Sequence, residues 1–164
     1  MAFLQVSRKV DYALRAVIHL ANEESATRAC TVTEIATRER IPRQFLEKII
    51  QQLIHGGVVR SRRGPHGGYV LGRSADDVTF RDVIEAVEGP ISLNVCVGEH
   101  PDCFLLGACG MNRIWAEGQR RVVDLFEKTT ISQVRHPVTV GGVGGGAPEY
   151  RPVTPVKGEQ KDHS

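Results

Sequence analysis

Apolar residues recur at spacings of three and four through KVDYALRAVIHLAN, where Val10, Leu14, Val17, Ile18 and Ala21 line one side. That period predicts an amphipathic helix beginning near Val10. After a polar stretch, Thr31 stands three residues before Glu34 in TVTEIATRE, a capping-box pairing that opens a second, short helix. Pro42 closes the connection that follows, and its missing N–H costs nothing in a first helical turn. In RIPRQFLEKIIQQLIHGG, Phe45, Leu46, Ile49, Ile50, Leu53 and Ile54 form one apolar stripe. The stripe predicts a third helix with all six residues packed inward, stopped by Gly56 and Gly57.

The period then changes. VVRSRRGPHGGYVLG places Val58, Val59, Tyr69, Val70 and Leu71 on either side of a turn built from Gly64, Pro65, Gly67 and Gly68, which predicts a β-hairpin. FRDVIEAVEGP returns to the helical period, with Val83, Ile84 and Val87 inward and Gly89 and Pro90 as the stop. A last helix is predicted over roughly 111 to 128, with Ile114, Trp115, Val122, Leu125 and Phe126 as its apolar members. So late a helix needs a partner, and a second copy of the chain supplies one. The expected fold is mainly α with a small β wing: a winged helix-turn-helix over residues 1–90, a cysteine-rich loop over 91–110 and a dimerisation helix over 111–134. From about Arg135 the chain becomes RHPVTVGGVGGGAPEYRPVTPVKGEQKDHS, whose six glycines and four prolines predict a disordered tail over 135–164.

Charge sharpens this picture. The formal net charge of +2 over 164 residues conceals three unlike segments. Residues 1–75 hold twelve Lys or Arg against six Asp or Glu, residues 76–134 five against ten, and the remainder four against three. The basic first half suits a polyanion. On the third helix the stripe leaves Arg43, Gln44, Glu47, Lys48, Gln51 and His55 outside, side chains that reach base edges and phosphates. Arg43, Gln44 and Glu47 are the expected base readers and Lys48 a backbone contact. In the hairpin, Arg63 stands beside the glycine-rich tip and Arg60 and Arg62 are placed for phosphates. The expected partner is double-stranded promoter DNA. No apolar run approaches a membrane span. Arg8, Lys9 and Asp11 interrupt the start where an export signal needs apolar continuity, so a cytoplasmic location is expected.

CVGEHPDCFLLGAC, residues 96–109, brings Cys96, Cys103 and Cys109 within fourteen residues, with Cys30 far off in sequence. An odd cluster in a chain with no export signal is a poor disulfide framework. Thiolates are soft ligands, and the spacing admits three readings: an iron-sulfur cluster, zinc or another metal, and metal-free redox thiols. The gaps are wider than those of common zinc knuckles. The chain lacks a CxxC pair, a dinucleotide-binding glycine pattern and a Ser, His and acid set of recognisable spacing, so an enzyme is not expected.

VDYALRA near the start, the helix-turn-helix, RGPHGGYVL and a three-cysteine loop before a long helix together resemble the IscR/NsrR family of bacterial transcription regulators over about residues 3–134. RGPHGGY, at 63–69, is the most specific of these segments. The resemblance implies a homodimer whose winged helix-turn-helix reads promoter DNA under control of an iron-sulfur cluster, 4Fe-4S or 2Fe-2S, held by the three cysteines and sensing nitric oxide, redox or iron-sulfur status. Iron-sulfur-assembly regulators of this kind use a histidine three residues after the last cysteine, where this chain has Asn112. Nitric-oxide-sensing relatives use an aspartate at the start of the first helix, donated by the partner subunit. The matching residue is Asp11, which the resemblance implies as the fourth ligand.

Overall fold

The computed structural model describes residues 5–22, 28–106 and 108–135. Its elements run α1 (Arg8–Asn22), α2 (Val32–Glu39), α3 (Arg43–His55), β1 (Val59–Arg62), β2 (Gly68–Leu71), α4 (Phe80–Glu88), α5 (Gly110–Lys128) and α6 (Ile131–Val134). The tail expected from Arg135 lies, beyond that residue, outside the described residues.

Local chemistry sets most of the boundaries. Thr31 accepts the Glu34 N–H at 3.2 Å and starts α2. Thr79 and Asp82 form a reciprocal capping box at the start of α4, each side chain accepting the other's backbone N–H. At the end of α3, Gly57 takes the left-handed conformation, φ 70°. Its N–H donates to the Ile54 carbonyl and that of Val58 to the Leu53 carbonyl, the paired bonds of a Schellman stop. The same two bonds end α2, Arg40 N–H to Thr37 and Ile41 N–H to Ala36. There the left-handed residue is Arg40, φ 52°, the one non-glycine residue with positive φ among those described.

The core lies where α1, α2, α3 and α4 meet under the hairpin. Ala13 and Ala16 of α1 are fully buried, and their small side chains let α1 lie close against its neighbours. Leu46, Ile49, Ile50 and Leu53 supply the α3 stripe, joined by Ile35, Val58, Val59, Val83 and Val87. Phe45 departs from the expected inward stripe and is 61% exposed. The helical period assigns it to the flank of the stripe, but in the first turn of α3 no neighbouring element reaches over it.

β1 and β2 pair antiparallel with Val59 opposite Leu71 and Arg62 opposite Gly68. Cys30, just before α2, bridges Tyr69 through two backbone hydrogen bonds of 2.8 and 2.9 Å. This contact explains Gly68, where a Cβ would stand 2.5 Å from the Cys30 carbonyl oxygen.

The last helix, predicted over roughly 111 to 128, runs Gly110–Lys128, and the rest of the segment assigned to dimerisation, out to 134, is a separate short helix. At Thr129 the chain turns back toward the winged domain. Phe80 N–H donates to Thr129, Ile131 N–H to Val78 and Ser132 N–H to Ala75, and Ile131 is fully buried in the core. Burial of that one side chain contributes about 2 kcal/mol. By contrast α5 has no buried residue; Ile114 is 67% and Leu125 60% exposed. Among the described residues, no helix is long and apolar enough to cross a membrane.

Candidate nucleic-acid interface and thiol cavity

Because α3 buries one face, its outer face is fixed. Arg43, Gln44, Glu47, Lys48, Gln51 and His55 are all exposed on it, together with Phe45. Arg43 Nε donates to Glu47 Oε1 at 2.9 Å, one turn along, so these two of the expected base readers form a charge pair in the absence of DNA. Such an exposed pair stabilises by only about 0.3–0.5 kcal/mol and yields readily to a base or a phosphate.

The hairpin stands beside α2 and contributes the second element of the surface. Arg60, Arg62 and Arg63 are exposed, and Arg60 Nε also reaches the Leu71 carbonyl at 3.4 Å. Between the wing tip and the start of α2 lies an open groove of about 680 Å³ lined by Arg28, Arg62, Arg63 and His66 together with Gly64 and Gly67. Arg28 Nη2 donates to Glu34 Oε1 at 2.6 Å. That hydrogen bond, ahead of the opposing effect of burial, lowers the Glu34 carboxyl below its ordinary range. The sequence singled out neither Arg28 nor His66; His66 lies in the hairpin turn itself, and the Cys30–Tyr69 bridge, which joins distant segments, brings Arg28 to the wing.

The three cysteines of the loop come together. Cys96, Cys103 and Cys109 line one cavity of about 100 Å³, walled mainly by Val95, Leu105, Leu106, Met111 and Trp115. Each is part-exposed and none is in a disulfide. Short turns shape the segment: Leu106 N–H donates to Cys103 and Cys109 N–H to Leu105. Cys109 is the N-terminal cap residue of α5, where the helix's unpaired N–H groups favour negative charge.

Two side chains of α5 hold this loop from below. Gln119 accepts the Leu93 N–H at 2.8 Å and donates Nε2 to the Ile91 carbonyl at 2.8 Å and the Val97 carbonyl at 3.1 Å. Asn112, at the position compared with a ligand histidine, lines the cavity and donates its Nδ2 to the Cys96 carbonyl at 3.2 Å. Asp11 is exposed on α1, paired with Arg15 at 3.4 Å, and does not line the thiol cavity of its own chain. Among the described residues, no three His, Cys, Asp or Glu side chains converge tightly enough to hold a single metal ion. Three thiols on one apolar cavity nevertheless match the donor chemistry of an iron-sulfur cluster, whose several irons spread the ligands further apart.

Comparison with known proteins agrees with the architecture. Residues 6–137 match the Rrf2 family, described as an iron-dependent transcriptional regulator. An rrf2-like HTH-type transcriptional regulator of Rhodobacter capsulatus is 36% identical over 136 residues, covering 79% of this chain and 91% of that protein. The solved structure of CymR, the global cysteine regulator of B. subtilis, superposes with a TM-score of 0.67 at 28% identity, covering 80% of this chain and 96% of that one. T. potens IscR gives 0.64 at 25% identity, over 79% and 84%.

Proposed function

The chain belongs to the Rrf2 family of transcriptional regulators, and from that premise we propose that it is a cytoplasmic homodimer whose operator binding is governed by an iron-sulfur cluster held in the thiol cavity. The observation that carries this reading is the gathering of Cys96, Cys103 and Cys109, seven and then six positions apart on one loop, onto a single apolar cavity at the start of α5.

In this reading Cys96, Cys103 and Cys109 are the protein's thiolate ligands. Asp11 of the second subunit completes the set, as the resemblance to the nitric-oxide-sensing relatives implies. The cluster, when bound, supplies a reactive iron corner at which nitric oxide or an oxidant attacks. Everything else is done by the chain itself. Residues 1–90 read DNA through Arg43, Gln44, Glu47 and Lys48 of α3 and Arg60, Arg62 and Arg63 of the wing. Residues 91–110 sense. The exposed apolar face of α5, with Met111, Ile114 and Leu125, meets its copy in the partner, which sets two reading heads about 34 Å apart on one face of the duplex. Gln119 and Asn112 tie the backbone around Cys96 to α5, so a change in the loop reaches the dimer helix. The bias required is small: a hundredfold change in operator affinity is about 2.7 kcal/mol.

A second reading has its own support. With no tight three-donor set for one metal ion among the described residues and three free, part-exposed thiols on one cavity, the thiols could act by reversible oxidation with no metal. Anaerobic purification separates the two. Iron and acid-labile sulfide in near-stoichiometric amounts, with tighter or weaker operator binding than the apo form, support the cluster. A colourless protein whose DNA affinity responds to thiol oxidant supports the alternative. A cluster-loaded form that binds operator like the apo form would refute sensing and leave DNA binding untouched.

A further inference from the structure

Phe45 is the anomaly of the reading surface. A large apolar side chain 61% exposed on an otherwise polar helix face leaves apolar area in water, although nothing in the fold requires it there. Its surroundings argue against a protein-docking patch. Among the described residues, the other exposed large hydrophobics are Val6 and a set running from Val95 through Leu125, in the cysteine loop and α5. The exposed residues nearest Phe45 along α3 are Arg43, Gln44, Glu47 and Lys48, with the small ring of Pro42 one turn before. An isolated apolar group among long polar ones suits a surface that is itself mostly polar with isolated apolar points.

The DNA major groove is such a surface: its one apolar feature is the 5-methyl group of thymine, and phenylalanine is one of the side chains that meet it. Position on the helix agrees. Phe45 lies in the first turn of α3, where its N–H reaches the Pro42 carbonyl at 3.0 Å, and it is the N-terminal residues of a recognition helix that contact base edges. We propose that Phe45 determines specificity by packing against the 5-methyl group of one thymine in each half-site. The proposal rests on the DNA-reading function assigned to α3 above and deepens it.

The test uses the anaerobically purified full-length chain. An operator is first selected from a random-sequence duplex pool by the wild-type protein. Each of its thymines is then replaced singly by deoxyuridine, which removes one methyl group and leaves every hydrogen-bonding atom in place. The proposal expects one position per half-site at which deoxyuridine weakens wild-type binding about fourfold, the worth of one buried methyl. Phe45→Ala should bind the thymine operator more weakly and lose the distinction at that position alone, while Phe45→Leu keeps part of it. Since Phe45 is exposed, Phe45→Ala should melt like wild type, so weakened binding is not unfolding. Wild-type binding indifferent to deoxyuridine at every position, or a Phe45→Ala variant that still discriminates, overturns the proposal while DNA reading stands. Failure of the wild-type chain to enrich any sequence overturns DNA reading itself, and the proposal with it.

Discussion

The three hydrogen bonds of Gln119 make a quantitative prediction. Gln119→Met keeps the length of the side chain and removes both the acceptor for Leu93 and the donors to Ile91 and Val97. Each bond contributes about 1 kcal/mol net. The partners are backbone groups that water satisfies once the segment lifts away, so the penalty is the lost bonds rather than buried orphan groups. The expected loss is about 2–3 kcal/mol, all of it local, since the core includes nothing between Val87 and Ile131. The Leu93 amide reports it directly: its hydrogen exchange should quicken about 30- to 150-fold in Gln119→Met, as 2–3 kcal/mol translates at 1.36 kcal/mol per decade. Core amides such as those of α3 should exchange as before. Gln119→Glu retains an acceptor for Leu93 but sets a carboxylate against the two carbonyls, and should lie between wild type and Gln119→Met or beyond, never at wild type. Unchanged Leu93 exchange in Gln119→Met would refute the assignment of Gln119 as the clasp. A uniform rise across the core would refute the claim that the loop is energetically separate.

Four further outcomes are expected. Gly57→Ala should destabilise by about 1–2 kcal/mol in chemical denaturation, the cost of a side chain in the left-handed region; Arg40→Gly should stabilise by up to about 1 kcal/mol, strain relief being partly offset by the entropy glycine gains when unfolded. Replacing Arg63 with Ala should weaken operator binding and flatten its dependence on salt by about one phosphate contact, and an unaltered slope in titrations at several salt concentrations would show that the wing does not touch the backbone. On α5, hydrogen bonds from Arg120 first and Arg121 second hold the Glu117 carboxyl down at about 2. A depressed carboxyl stabilises above its unfolded value of 4.5 and loses that contribution as pH falls toward 2, so carboxyl NMR should find Glu117 still ionised at pH 4, and a midpoint near 4.5 would refute the pairing.

The elements closest to a single physical signal were legible in the chain. Thr31 begins a helix because its side chain caps it, and the hairpin follows from glycines bounded by β-branched residues; the equivalent cap at Thr79 went unread. Phe45 was misplaced because periodicity assigns a residue to a helix face without knowing whether another element covers that face. The extent of α5 to Lys128 was legible in its period, but the return that follows was not, because only pairing with Val78 and Phe80, some fifty residues earlier, turns the chain there. The gathering of three thiols followed from their spacing. The roles of Asn112 and Gln119 did not, since a polar amide on a helix looks the same in sequence whether it faces water or a backbone carbonyl. Arg28 meets His66 of the wing turn through the Cys30 bridge, a contact between segments with no local signature.

The return of the chain at Thr129 gives α5 unequal ends. One end is stitched to the reading domain by the bonds to Val78, Ala75 and Phe80 and by Ile131, sunk in the core. The other begins at Cys109 and touches the thiols. Nineteen residues make a rod of about 28 Å. Pivoting about its stitched end, the rod turns a tilt of about 5° into a sweep of about 2.5 Å at the sulfur end. In the proposed sensor, the same gearing run backwards would convert a displacement of atomic size beside the cysteines into a gentle rotation of the whole DNA-reading head.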